Sequence, residues 1–421
     1  MLRRILGRVL LVGGGIAVAL IAAEATLYVG YWVWHGVRFS SDAYRSAMLA
    51  VVNAPSAARP DRGRAGEDRR DNVPTVIHPY LGFVPAPGAS SIMIGEGDQI
   101  PPRSDTELVV GVFGGSFAAG MCAYAGHELR RVLSRPGKDA RVVCLAAGGY
   151  KQPQQLLALT YLLAQGAHLD LVLNIDGFNE VALPPSENRP QGVAPIYPRS
   201  WFWHVGNLED PDALKLLGEL SLTDRARRNW AARFADWGLY HSTLMSLAWK
   251  SRDRLFDVEH ERIVNELRTH KLEQHASYAA TGPAMTFADD EAYYAYLARV
   301  WRDSSVQMQR LCDANGIAYA HFLQPNQYVE GSKPLDPTER ELTSHRNPYK
   351  RTVTLGYPQL RRAGEELRAA GVNFYDLTMV FKDEPARLYS DGCCHLNGVG
   401  YNRIATVIGS DVSLGVAKTS P

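Results

Sequence analysis

The sequence predicts an α/β chain whose core is a parallel sheet covered by helices on both faces, and three observations carry that prediction. The run 108–113, Leu-Val-Val-Gly-Val-Phe, is short, apolar and rich in β-branched residues, as a buried parallel strand is, and it breaks at Gly114-Gly115. Further apolar runs at 141–145, 169–175, 317–323 and 373–381 alternate with stretches of helical periodicity. Two of those helical stretches run into a glycine where a helix should end, Gly316 and Gly371.

In chain order, residues 1–35 come first. Arg3, Arg4 and Arg8 precede the mostly apolar run 9–34, whose one charge is Glu24. A helix of that length spans a bilayer with some to spare. The arginines favour the cytoplasmic side, which puts the rest of the chain in the periplasm or outside the cell, with Tyr28, Tyr31, Trp32 and Trp34 at the outer interface. The expectation is a single-pass anchor in the cell membrane. A cleaved signal peptide competes with it, because Ala23-Glu24-Ala25 matches a small-x-small site, although the apolar character continues beyond. Residues 36–75 are expected as a linker, since 54–72 is rich in Ala, Pro, Arg and Asp and nearly free of apolar side chains. The α/β domain is expected over 76–415, entered by a docked segment at 78–83.

Within it, the first strand gives way to a helix over 118–133. Gln152-Pro153 starts the next helix, whose Leu156, Leu159 and Leu163 make one apolar face. After the third strand comes an insertion, 181–286, too long for a loop and helical in stretches such as 259–273. It leaves the sheet just after Asn179 and is expected to act as a lid or subdomain above the site. Trp201, Trp203, Trp230, Trp237 and Trp249 lie in it. They suit the core of a small helical subdomain, or a surface that stacks on sugars or touches lipid headgroups. A long helix over 289–315 aligns Leu297, Val300, Ser304, Met308 and Leu311 on one side. The fourth strand, a polar Pro-rich insertion at 326–352, a helix marked by Leu360, Ala363 and Leu367, and the fifth strand follow.

With 421 residues and 46% hydrophobic content the chain can bury a large core. A net charge of +1 without a sustained basic run leaves no electrostatic footprint for nucleic acid. Five cysteines are too few for a disulfide scaffold, and no Cys-x-x-Cys spacing suggests zinc; no metal or cofactor is expected. In an exported domain, Cys393 or Cys394 could pair with Cys312 or Cys144, buried thiols being the alternative.

The residues that carry chemistry each follow a strand. Ser116 stands at the carboxyl end of the first, where open α/β sheets place ligands, with a helix behind it whose first N–H groups face the hydroxyl. Gly149 follows the second strand, Asn179 the third, and Asp391-Gly-Cys-Cys-His395 comes near the end. This order resembles the SGNH hydrolases, also called GDSL-type esterases and acyltransferases, over roughly 108–408. Gly115-Ser116, Gly149, Gly177-x-Asn179 and Asp391 with His395 match the four blocks. Two departures stand out: glycine at 115 where the family has aspartate, and three residues rather than two between Asp391 and His395. Asp383 and Asp376 are fallback carboxylates. The resemblance implies a flavodoxin-like three-layer fold with a five-stranded parallel sheet, carrying here a helical insertion and one N-terminal transmembrane helix. It further implies Ser116 as nucleophile, His395 as base, Asp391 as its carboxylate, and an oxyanion hole formed by the N–H of Ser116, that of Gly149 and the Asn179 amide.

That chemistry has a physical basis. A serine hydroxyl needs an adjacent base to attack at neutral pH, and a carboxylate on the far ring nitrogen fixes the imidazole tautomer. Donors aimed at the developing oxyanion lower the barrier most. Gln324 and Asn326 leave the fourth strand at the same sheet edge and are candidate substrate-binding residues. The expected function is a serine esterase that removes acyl groups, acetyl foremost, from an envelope carbohydrate or related ester. Two alternatives stand: an O-acetyltransferase of an exported polysaccharide supplied by a multi-span acyl-donor partner, and a non-catalytic envelope assembly or binding module on the same fold.

Overall fold

The computed structural model describes residues 2–53, 75–86, 105–205, 211–269, 278–343 and 347–419. The stretch 54–72, on which the linker expectation rested, lies outside them. Helices α1 (Leu2–His35) and α2 (Ser41–Asn53) precede a hairpin of β1 (Thr75–His78) and β2 (Gly82–Pro85). Strands and helices then alternate: β3 (Glu107–Gly114), α3 (Ser116–Leu133), β4 (Asp139–Cys144), α4 (Gln154–Ala164), β5 (Leu171–Asp176) and α5 (Phe178–Leu183). Four helices follow, the short α6 (Trp201–Val205), the long α7 (Pro211–Asp236) and α8 (Thr243–Thr269), and α9 (Tyr278–Thr281). The chain continues through α10 (Asp290–Ala314), β6 (Ala318–Leu323), α11 (Pro337–Leu342), α12 (Tyr349–Ala369), β7 (Phe374–Asp376) and α13 (Gly398–Thr419).

These elements divide into two compact units, 1–60 with 207–275, and 61–206 with 276–421. The second holds a five-stranded sheet in the order β4-β3-β5-β6-β7, every neighbouring pair parallel. That is the flavodoxin-like order, with the chain reversing direction across the sheet beside β3. Side chains alternate across β3. Val109 and Phe113 join a core with α4, α10 and α12, whereas Val110 and Val112 face α3 and α13. All six residues of β5 are buried; four are apolar, and Asn174 donates to Asp176, which also accepts from Trp301. Asp289 caps α10 by accepting from the Ala292 N–H at 2.8 Å. The fifth strand is shorter than the run 373–381, because Asp376 accepts the Thr378 N–H at 2.9 Å and turns the chain out of the sheet.

The first unit consists of α1, α2, α7, α8 and a short turn, packed on Tyr44, Met48, Phe234 and Trp249. Residues 41–53, inside the stretch expected as linker, are therefore a helix that buries Tyr44 and Met48. The insertion is shared: its middle, 207–275, belongs to this helical unit and its two ends to the sheet unit. Trp249 is buried and Trp230 packs on Phe234, as core aromatics do, whereas Trp237 is 73% exposed. Within α1, Gly13–His35 is long and apolar enough to cross a membrane.

Neither pairing raised by sequence forms, while the buried-thiol alternative holds for Cys312 and Cys394. Cys144 is bonded to Cys122 on α3, Cys312 is a buried thiol, and Cys393 and Cys394 are thiols. Helix α3 packs beside β4, so 122 and 144 are brought together by tertiary structure rather than by any local pattern.

Candidate active site

Ser116 is the first residue of α3, directly after the Gly114-Gly115 turn. Gly114 has φ +143°, and a Cβ there would lie 2.1 Å from the Ile175 carbonyl oxygen, so the turn admits no side chain. At Gly115 a Cβ would lie 2.2 Å from Nδ2 of Asn179. This close approach accounts for glycine at that position: the space a side chain needs is filled by the Asn179 amide. Gly115→Ala is expected to push the amide aside and lower kcat on a soluble ester by about 10²–10³-fold, the usual loss for one oxyanion donor.

His395 reaches the serine from the far end of the chain. Its Nε2 lies 2.8 Å from Ser116 Oγ, and its Nδ1 is bonded to Asp391 Oδ2. The wide spacing works because Asp391 Oδ1 accepts the N–H groups of Cys393, Cys394 and His395 at 2.8, 3.0 and 3.2 Å. One carboxylate oxygen winds the loop while the other holds the imidazole. The fallback carboxylates are occupied elsewhere, Asp376 with Arg361 and Asp383 beside Lys382.

Burial opposes the charge on Asp391, but the His395 ring and the loop N–H groups outweigh it, so the carboxyl titrates below its usual range. A depressed folded-state value stabilises above the ordinary pKa of about 3.9, and that stability is lost as pH falls through the lower value. Asp391→Asn is therefore expected to flatten the fall of Tm with acidification below about pH 4, read by thermal melting across an acid series.

Asn179 lies at the start of α5 and donates through Nδ2 to the Tyr150 carbonyl at 2.7 Å. An amide has two N–H groups. This bond spends one and leaves the second beside the Gly115-Ser116 turn. Gly149 follows β4 with φ +80°, and a Cβ there would meet Arg199 at 2.5 Å. The serine, glycine and asparagine segments thus interlock at one sheet edge.

Several residues that shape this site were not visible in the sequence. Glu180 accepts from the Gly177 N–H at 2.8 Å, the Gln152 N–H at 3.0 Å and Gln155 Nε2 at 3.2 Å, clasping the segments after β4 and β5 together. Burial, then the neighbouring Asp176 carboxylate, pushes its carboxyl up. The 391–393 carbonyls are braced from outside: Asn326 Nδ2 donates to Cys393 at 3.0 Å, Gln327 Nε2 to Asp391 at 3.0 Å, and Tyr328 and Asn347 to Gly392 at 2.6 and 2.7 Å. Asn326, expected to bind substrate, is fully buried and commits its amide to that brace. Gln324 is likewise buried, at 3% exposure, and does not line an open surface.

A second serine, histidine and aspartate chain runs through the core. Ser305 Oγ lies 2.7 Å from His321 Nδ1, and His321 Nε2 lies 2.8 Å from Asp176 Oδ1, which also accepts from Trp301 Nε1 at 2.6 Å. Ser305 and His321 are wholly buried, so this chain satisfies polar groups rather than meeting a substrate. Among the described residues, Cys393, Cys394 and His395 offer ligand atoms within 4.8 Å of one another. Both ring nitrogens are already bonded to Asp391 and Ser116, so a cation there would have to break that relay.

No family model matches the sequence, and no curated protein matches it. Among solved structures, a GDSL-like lipase from Bacteroides thetaiotaomicron superposes with a TM-score of 0.36 at 12% identity, over 76% of this chain and 95% of that one.

Proposed function

We propose that the chain is a serine esterase of the SGNH type that removes acyl groups, acetyl foremost, from an envelope carbohydrate or related ester. The observation that carries this reading is the 2.8 Å contact between Ser116 Oγ and His395 Nε2, with Asp391 on the other ring nitrogen. His395 takes the hydroxyl proton as Ser116 attacks the ester carbonyl, and it returns the proton to the departing alcohol. A water molecule deprotonated by the same ring then releases the acid from the acyl-enzyme. The N–H of Ser116, the N–H of Gly149 and the free amide hydrogen of Asn179 receive the oxyanion. Helix α1 anchors the chain, with Arg3, Arg4 and Arg8 on the cytoplasmic side and both folded units on the outer side.

The test combines a fluorophosphonate probe with p-nitrophenyl acetate turnover, with and without an oligosaccharide acceptor. Labelling at Ser116 with release of acetate supports the esterase. Acetylated oligosaccharide would reassign the acyl-enzyme to transfer, in keeping with a multi-span acyl-donor partner. A folded chain that neither labels nor turns over would leave only a binding or assembly module.

A further inference from the structure

We propose that the turn joining α7 to α8 is a membrane-docking surface whose partner is the outer phospholipid headgroup layer around α1, and that Glu24 lies about one turn inside the hydrocarbon edge beneath that layer. The inference rests on reading α1 as the anchor.

Residues 13–22 of α1 are exposed on every side. From Ala23 onward a stripe at helical spacing, Ala23, Glu24, Leu27 and Tyr31, is half-buried against the helical unit. The Glu24 carboxylate accepts from Ser242 Oγ at 2.7 Å, from the Leu244 N–H at 3.1 Å and from the Thr243 N–H. These are the donors that the first turn of a helix leaves unsatisfied, and an anion suits that end of the helix dipole. Two turns along α1, Tyr31 packs on Tyr44 at 6.4 Å, and Tyr44 packs on Trp249, two turns into α8, at 6.3 Å. The two helices therefore run side by side in the same direction, and α8 begins at the level of Glu24.

That register sets the depth of the unit. With Arg8 on the cytoplasmic side, the part of α1 between it and the packed stripe, Val9 to Ala22, measures about 21 Å at 1.5 Å per residue, short of the hydrocarbon thickness of about 30 Å. The outer edge of the hydrocarbon therefore lies about one turn beyond Glu24, near the level of Tyr28, and the Glu24 carboxylate is bonded to a helix terminus instead of facing lipid.

At the level of Glu24 the unit presents the α7–α8 turn. Trp237 there is 73% exposed, and its N–H bonds the Arg233 carbonyl at 3.1 Å, which puts exposed Arg233 one turn away on the same face. An indole beside a guanidinium suits a headgroup layer, the ring entering the acyl boundary and the cation meeting phosphate. Farther along α7 and α8 the surface is laced with ion pairs, Arg227 with Asp253 and Asp257, and Arg262 with Glu219, Glu259 and Glu266.

The test uses the full chain in phosphatidylcholine vesicles containing lipids brominated high on the acyl chain. Trp237→Phe is expected to remove most of the bromine-dependent tryptophan quenching, because it is the indole placed in the headgroup layer. A Trp32→Phe, Trp34→Phe chain should keep it. The reverse pattern, with quenching lost in the double variant and retained in Trp237→Phe, overturns the proposal while leaving the anchor intact. A chain stripped from the vesicles by alkaline carbonate overturns the anchor and the proposal together. Acetate release by the same samples reads the esterase separately.

Discussion

His395→Ala is expected to lower kcat on p-nitrophenyl acetate by about 10⁴–10⁶-fold, with Ser116→Ala falling in the same range and the double variant no lower than either. The non-additivity follows from the geometry. Among the described residues the base that Ser116 Oγ contacts is His395 Nε2 at 2.8 Å, and without it the hydroxyl is an ordinary alcohol. The residual rate should come from the N–H groups around the Gly115 turn, which neither substitution touches. Ser116 is half-buried and small, so Ser116→Ala should change Tm little, whereas His395→Ala, which removes a side chain only 17% exposed and bonded to Asp391, should lower it. Steady-state kinetics with parallel thermal melting checks this. Losses of ten-fold or less in both variants would show that the contact is not used in turnover.

The sheet and the site differ in how openly the sequence announces them. Strands buried on both faces are apolar at most consecutive positions, so the runs ending at Gly114 and Asp176 are legible even though the second carries Asn174. Each polar site residue then follows a strand, because that is where a parallel sheet opens to a ligand. The supports of the site gave no such signal. Asn326, Gln327 and Tyr328 hold carbonyls 64 to 67 residues away, and Glu180 acts on Gln152, so no local spacing marks them. The pairing of Cys122 with Cys144 depends on how α3 lies beside β4, which cysteine positions alone do not give. The extended Asp391–His395 spacing became interpretable only with the three N–H groups on Asp391 Oδ1 in view. Helix α2 falls in the stretch expected as linker because the Ala-, Pro-, Arg- and Asp-rich 54–72 follows it, although Tyr44 and Met48 sit one turn apart on its buried face.

Glu339→Ala is expected to destabilise the sheet unit by about 3–5 kcal/mol, the usual result of removing one member of a buried ion pair. Glu339 and Lys333 are wholly buried at their side chains and 2.6 Å apart. One carboxylate oxygen accepts Lys333 and the Asp336 N–H at 3.0 Å, and the other accepts the N–H groups of Leu388 and Tyr389, both at 2.8 Å. Alanine would leave an uncompensated ammonium and three amides without partners in the interior. Two of those amides, of Leu388 and Tyr389, immediately precede the loop carrying Asp391 and His395, so the damage should reach the site. Residual kcat should fall even below the melting transition, because a loosened 388–389 segment no longer fixes the imidazole. Replacing both residues, Lys333→Met with Glu339→Leu, removes the stranded charge and should recover part of the stability but not the amide partners. Chemical denaturation of the three variants decides it. A Glu339→Ala loss below about 1 kcal/mol would mean that water enters and that the pair is not the clasp its burial implies.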